Sequence, residues 1–373
     1  MARTYGFLST YAPTQCGLAT FTAALLTHLV AATPGSEGRV VRVLPAADRS
    51  PVTGTPVVHQ MTPGAVEAAA DELNRCDVAV VQHEYGIYGG VDGDDVLGVL
   101  ARLRVPVIVV LHTVLSAPTP GQRRVLDEVV AHADTVVTMS EEAARRLRTG
   151  YAVERPDDVV VIPHGALTVG PAARTGAGPM ILTWGLMGRG KGVEWGISAM
   201  HALRDLKPRY VVAGPTHPNV LAQEGETYRR NLRNRIATFG VADLVEFDPT
   251  YREAGALAEL VSQADVVLLP YDSTEQSTSG VLVEALAARR PVVATEFPHA
   301  VELLADGAGL LVPHRNPSAI ASALRLVLTE PHLAARMTAK AARLAPDLGW
   351  PAVANRYRAV AERLSAARVV VTT

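Results

Sequence analysis

Cysteine is almost missing from this 373-residue chain, lysine is sparse, and neither sign of charge is in marked excess. Each shortage excludes something. With only Cys16 and Cys76, a disulfide scaffold and a four-cysteine zinc site are ruled out. Lys plus Arg number 35 against 37 Asp plus Glu, a net charge of -2, which argues against nucleic acid or an anionic membrane surface as the main partner. No apolar run approaches the ~20 residues that span a bilayer. The longest, Val105 to Leu115, is broken by His112. The chain begins with no long apolar core ahead of Ser9 and Thr10, so no signal peptide is expected. What is present is 48% apolar and 19% charged residues, a balance that argues against long disordered tracts. At ~150 residues per domain, the length suits two domains with large cores. The expectation is a globular, cytoplasmic protein of a reducing compartment.

Short β-branched runs alternate with Ala/Leu/Arg-rich helical stretches. Strands are expected at Tyr5–Ser9, Val40–Leu44, Val78–Gln82, Val107–His112, Thr135–Met139 and Val159–Ile162, then at Met180–Trp184, Tyr210–Ala213, Leu244–Phe247, Val266–Pro270, Pro291–Thr295 and Gly309–Val312. Apolar runs of four to six residues without alternation suit a parallel sheet covered on both faces, and strand–helix–strand repetition reads as doubly wound α/β. Two sets of about six strands exceed one open sheet. The break is placed at Ala166–Pro179, rich in Gly, Pro and Ala. Two Rossmann-like domains facing across a cleft follow: residues 1–167 and 178–350. A final helix, 351–373, enters after a turn at Pro346–Pro351 and is expected to return to the first domain. Ligands in such folds bind beyond the carboxyl ends of the strands, so chemistry is sought in strand-to-helix loops.

In the first half, Thr10 to Gly17 joins strand to helix. Gly17 permits close approach, and the helix start offers free N–H groups, although a tight turn explains the segment as well. Cys16 reads as a small buried hydrophobe. The run Gln82-His83-Glu84-Tyr85-Gly86 is a polar, aromatic, glycine-bearing loop suited to sugar hydroxyls. His83-Glu84 opens like a zincin motif, but its second histidine would fall on Ile87. Asp92-Gly93-Asp94-Asp95 reads better as a solvated helix start than as a metal site. His112 closes an apolar strand, as either a satisfied core histidine or a functional one.

In the second half, Gly185 to Gly192 (GLMGRGKG) meets Gly-x4-Gly-Lys, but Gly192 stands where a P-loop needs Ser or Thr. The glycine spacing also misses the dinucleotide fingerprint. A flexible loop with Arg189 and Lys191 at a helix start still makes a diphosphate clamp. After Val266–Pro270 come Glu275, Gln276, Ser277, Thr278, Ser279 and Gly280, a second place for free helix-start amides. Glu284, one turn inside, can accept two hydrogen bonds from a ribose diol, and Glu275 or Gln276 faces the cleft.

Taken in order, Pro13-x2-Cys16-Gly17-Leu18-Ala19, His83-Glu84-Tyr85-Gly86-Ile87, Leu111-His112-Thr113, Ile162-Pro163-His164-Gly165, Gly188-x-Gly190-Lys191-Gly192, Thr216-His217-Pro218 with Glu224-Gly225-Glu226, and Ser279-Gly280-x3-Glu284-Ala285 closely resemble glycosyltransferase family 4, of the GT-B fold. The resemblance covers nearly the whole chain. It implies a retaining, metal-independent hexosyl transfer from a nucleotide-diphosphate sugar, such as a UDP- or GDP-sugar, to a glycan or small-molecule hydroxyl. It implies no bound cofactor. The donor would lie on the second domain, with Arg189, Lys191, Glu275, Gln276, Thr278, Ser279, Gly280 and Glu284. The acceptor would lie on the first, with Gly17, Leu18, His83, Glu84 and Tyr85, and His112 beside the transferred sugar. Catalytic roles fall to His112, Arg189, Lys191 and Gln276, with Arg189, Lys191 and the Ser279–Gly280 amides stabilising the leaving charge. Two departures stand out. Gln276 occupies the place of the family's first glutamate, and Leu186 that of an arginine. An isomerase of the same shape, or a non-catalytic nucleotide-sugar binder, are the rival expectations. The Ala/Arg-rich, Lys-poor composition suggests a bacterium.

Overall fold

A computed structural model describes residues 2–44, 57–61, 65–170 and 178–371, leaving aside the side chains of 57–60 and 368–371. Residues 171–177 of the expected break therefore lie outside the described residues. The chain divides into two compact units, Met1–Gly165 with Trp350–Thr373, and Ala166–Gly349.

The first unit holds seven strands: β1 (Thr4–Ser9), β2 (Glu37–Val43), β3 (Val57–Met61), β4 (Val78–His83), β5 (Val107–Leu111), β6 (Thr135–Thr138) and β7 (Val159–Val161). Their order is β3-β2-β1-β4-β5-β6-β7, all parallel. The second unit holds β8 (Met180–Trp184), β9 (Arg209–Ala213), β10 (Val245–Asp248), β11 (Val266–Leu269), β12 (Val292–Thr295) and β13 (Gly309–Val312). Their order is β10-β9-β8-β11-β12-β13, again all parallel. Each sheet is covered by helices on both faces, which is why β4, β5 and β11 are apolar-rich and buried along their whole length. Burying each Val, Leu or Ile of these strands contributes about 1.5–3 kcal/mol.

Strand order reverses between β1 and β4 in one sheet and between β8 and β11 in the other. The loops leaving those strands diverge there and open a crevice at each carboxyl edge. One strand, β3, was not expected. It lies at the sheet edge, and its Val57-Val58-His59-Gln60-Met61 run lacks the long apolar core of the central strands.

The final helix, Trp350–Val371, belongs to the first unit. Trp350, Val353, Ala354 and Tyr357 share one apolar cluster with Phe21 and Leu25 of the Gly17–Ala31 helix. The turn expected at Pro346–Pro351 shrinks to Gly349. The helix Pro331–Leu348 runs through Pro346, and Pro351 occupies the second position of the next helix. Proline is tolerated there because a first-turn N–H has no intrahelical partner to lose. Among the described residues no helix is long and apolar enough to cross a membrane.

Candidate functional site

In the second unit the chain leaves β8 through a glycine loop and enters the helix Val193–Met200. Gly185, Gly190 and Gly192 have φ of +120°, +86° and +63°, values that side chains rarely adopt. A Cβ on Gly192 would stand 1.7 Å from the Pro270 carbonyl oxygen, so the loop packs directly on the backbone beyond β11. A hydrogen bond from the Asp272 N–H to the Gly190 carbonyl (2.9 Å) ties the two loops together. Lys191 Nζ lies 4.5 Å above the ring of Tyr271, which is itself fully buried and stacked on Phe297. The ring supports the ammonium from one side and leaves its N–H bonds for a ligand. Arg189 is placed differently from expectation. Its guanidinium forks onto Glu224, at 3.0 and 2.8 Å, and 72% of the side chain is exposed. It is a neutralised cation at the loop's rim, because a carboxylate matches the guanidinium fork in both spacing and charge.

Beyond β11, Ser279 caps the helix Gly280–Ala287 with its hydroxyl, which accepts from the Leu282 N–H at 3.3 Å. The Ser279 amide itself is committed, donating to Nδ1 of buried His299 at 2.8 Å. The expected pair of Ser279 and Gly280 amides is thus corrected. The Val283 N–H returns to the Ser279 carbonyl, and among the described residues the Gly280 and Val281 amides stay open at the helix start. His299 also donates its backbone N–H to the Gln276 carbonyl (3.3 Å), bracing the loop at both ends. Gln276 turns its amide onto the Thr278 carbonyl at 3.1 Å. The Thr278 hydroxyl is buried and makes no hydrogen bond among the described residues. Glu275, on the same loop, takes a backbone contact from its own N–H to the Ser273 hydroxyl.

Glu284 meets the carboxyl edge of β8 rather than standing clear of it. Its Oε2 accepts from the indole N–H of Trp184 at 2.9 Å. Burial pushes the carboxyl up to about 7, against which the indole bond acts in the opposite sense. One oxygen of the carboxylate thus already serves the indole, which leaves acceptor sites on both oxygens for the two hydrogen bonds expected from a diol.

In the first unit, β4 runs one residue further than expected. His83 is therefore a strand residue, almost wholly buried, and not part of a gripping loop. Among the described residues its Nδ1 has no hydrogen-bond partner, and the same holds for Nε2 of buried Gln82. The Gln82 Oε1 accepts from Nε2 of His112 at 2.6 Å. Phe21 packs edge-on against both His112 and His164, with centroids 5.0 Å apart in each case. Burial pushes His112 down to about 3, helped by His164 and His83, and holds His83 near 4. These imidazoles are neutral acceptors and donors rather than cations. Glu84 receives the Thr113 hydroxyl at 2.5 Å and the Tyr85 N–H at 3.1 Å, while burial raises its proton affinity.

Gly17 is the first residue of its helix, with Leu18 behind it, and among the described residues nothing lies within 4 Å of where its Cβ would be. The loop before it is held by residues that sequence reading missed. Fully buried Arg42 donates to the Tyr11 carbonyl (3.0 Å) and the Thr14 hydroxyl (2.7 Å). An arginine inside an apolar strand was the available signal. Trp184 and His299 had no such signal, because their partners lie 100 and 20 residues away in sequence. Asp94 of the acidic run pairs with Arg124 at 3.0 Å, and among the described residues no group of three or more His, Cys, Asp or Glu could hold a metal.

Two parallel doubly wound units of this kind define the GT-B class. Their backbones superpose on a glycosyltransferase from Rickettsia africae with a TM-score of 0.76 at 14% identity, covering 97% of this chain and 98% of that one. For Anabaena HepE in complex with UDP and glucose the TM-score is 0.74 at 17% identity, covering 98% of this chain and all of that one. Residues 17–167 match Glycosyltransferase Family 4, and residues 178–330 match Glycosyl transferases group 1. The chain is 31% identical over 326 residues to a D-inositol 3-phosphate glycosyltransferase of Geodermatophilus obscurus, spanning 77% of this chain and 70% of that protein. For the protein of the same name from Streptomyces avermitilis the identity is 30% over 284 residues, 68% of this chain and 59% of that one. The chain belongs to glycosyltransferase family 4, group 1.

Proposed function

We propose that the protein transfers a hexosyl group from a nucleoside-diphosphate sugar to an acceptor hydroxyl, with retention and without a metal. The observation that carries this reading is the Lys191 ammonium, held over the Tyr271 ring beside a glycine loop that requires left-handed backbone. Together with the open Gly280 and Val281 amides, it offers preorganised positive charge for a pyrophosphate. Glu284 receives a ribose hydroxyl through its remaining acceptor capacity. Arg189 joins the diphosphate only by leaving Glu224, so its share is the smaller. Glu275, Gln276 and Thr278 supply polar contacts to the sugar, Gln276 as a neutral group. Ser279 acts through its cap rather than by direct contact.

In the reaction, the bond between the anomeric carbon and the phosphate oxygen breaks, and its electron pair leaves with the nucleoside diphosphate. The acceptor oxygen bonds to the same face of the anomeric carbon. Its proton passes to the departing phosphate. Lys191 and the amides stabilise the growing phosphate charge, each such donor being worth about 3–4 kcal/mol. Neutral His112 is assigned to the transferred sugar, and Glu84 and Tyr85 with the Gly17–Leu18 helix start to the acceptor. His83, being buried, supports them from behind. UDP and GDP are the donor nucleotides to try first.

The test incubates the protein with UDP-, GDP- and ADP-sugars and measures nucleoside diphosphate release with and without sugar, polyol and polyol-phosphate acceptors. Acceptor-dependent release supports the proposal. Sugar interconversion without an acceptor would point to an isomerase, and binding without turnover to a carrier.

A further inference from the structure

Glu284 sits one turn inside the helix Gly280–Ala287, yet its side chain is not left to find its own orientation. The indole of Trp184, the last residue of β8, lies in the second unit's core with Leu182, Leu269, Leu282 and Leu286, and is 2% exposed. Such a ring has essentially one rotamer available, so its N–H points along a fixed line. That line ends on Glu284 Oε2 at 2.9 Å. We propose that Trp184 is a positioning residue of the donor site, its indole N–H holding Glu284 so that the carboxylate presents its free oxygen to a ribose hydroxyl.

The inference rests on the donor site proposed above and adds to it a residue that touches no substrate. A fixed carboxylate loses less side-chain freedom when it binds, so the indole contributes to nucleotide affinity without contacting the nucleotide. Among the described residues, no other charged or titratable side chain of β8, β11, β12 or the packed helices acts on this carboxyl. Burial drives its proton affinity up and the indole N–H drives it down. A charge-assisted bond to a hydroxyl is stronger than a neutral one, so nucleotide affinity should fall on acidification through about pH 7.

The experiment titrates UDP and GDP into the wild-type protein and Trp184→Phe by calorimetry across that pH range. Phenylalanine keeps most of the buried ring and removes the donor. The expected results are an affinity loss of about tenfold at neutral pH, a pH midpoint moved upward, and turnover at saturating donor little changed. In Glu284→Gln the pH dependence should vanish, and adding Trp184→Phe should then cost less than it does alone. A uniform loss with an unmoved midpoint overturns the proposal, as does unchanged affinity. Should Trp184→Phe fail to fold, the wild-type indole N–H resonance of Trp184 decides. It should titrate near pH 7 and shift when nucleotide is added. A resonance indifferent to both overturns the proposal. A wild-type protein that binds neither UDP, GDP nor ADP defeats the donor-site reading itself, which is a separate outcome.

Discussion

The two units share a strand order but differ in what they place at the point where it reverses. In the first, β4 ends on buried Gln82 and His83, and half-buried His112 follows at the end of neighbouring β5, both imidazoles uncharged. In the second, the edge between β8 and β11 carries the glycine loop, Lys191, the open amides at Gly280 and Val281, and Glu284. All three lysines of the chain, Lys191, Lys207 and Lys340, belong to the second unit. Topology decides where a crevice forms, and the residues at the strand ends decide what charge it accepts. This comparison is the ground on which the proposed function assigns anion binding to the second unit and recognition of neutral hydroxyls to the first.

Removing the second unit's charge should break the comparison most visibly. Lys191→Ala is expected to lower turnover at least ~100-fold while thermal unfolding stays near wild type. Steady-state rates with saturating donor, alongside a melting curve, measure both. Near-normal turnover would remove Lys191 from the diphosphate, and the contrast between the units would lose its chemical meaning.

A smaller effect compares two glycines at equivalent places, each beside the helix that follows the first strand of its sheet. At Gly192 the φ is +63° and an added Cβ meets a backbone carbonyl at 1.7 Å, with no flexible side chain to yield. At Gly17 there is open space. Gly192→Ala should therefore destabilise by about 1–3 kcal/mol from overpacking, with further strain from left-handed backbone. Gly17→Ala should stay within about 0.5 kcal/mol of wild type. Chemical denaturation of both variants tests the pair. Equal effects would show that the two loops do not differ in how tightly they pack.

This difference explains what could be read from the sequence. The parallel strands were legible because uninterrupted runs such as Val107-Ile108-Val109-Val110-Leu111 have no other stable use. The placement of Lys191 just before one helix and of Glu284 one turn inside another was legible because glycine and small residues after an apolar strand mark a helix start. Roles set by distant partners were not. Arg189 looked free until Glu224, 35 residues on, was seen to hold it. The Ser279 amide looked available until His299 arrived from the next helix. His83 looked like a loop residue because a polar pair after an apolar run resembles a strand end, whereas the ladder to β5 pairs His83 with Leu111. Edge strand β3 had too little apolar content to signal itself.

Acid should also separate the units. His83, His112 and His164 are held below their free value by burial, so the unfolded chain binds more protons than the folded one once pH falls below about 6.5. Their contribution to the first unit's stability is therefore lost on acidification. Buried carboxyls have the opposite sign: in the first unit Glu84 offsets part of the histidine effect, and in the second there is Glu284. Its folded proton affinity is raised to about 7, so its ionisation costs stability as pH rises from the free carboxyl value through 7. Lowering the pH from 7 towards 5 should loosen β4 and β5 before β11, as measured by amide hydrogen exchange on the intact protein. Protection lost equally in both sheets would mean that other groups dominate the acid response.

The smallest expected effect is none at all. On the proposed function a strong chelator should leave turnover unchanged, because Lys191 and helix-start amides, which no chelator removes, would meet the charge on the leaving diphosphate. The acidic run Asp92–Asp95 is the natural rival as an ion site, but Asp94 already accepts the Val91 N–H at 3.0 Å and pairs with Arg124 at 3.0 Å. A cation there would have to displace the Arg124 guanidinium from Asp94. Turnover lost to chelator and restored by a divalent ion would move the charge-stabilising role from side chains to metal. In that event Lys191→Ala should also prove milder than the hundredfold expected, so the two measurements check each other.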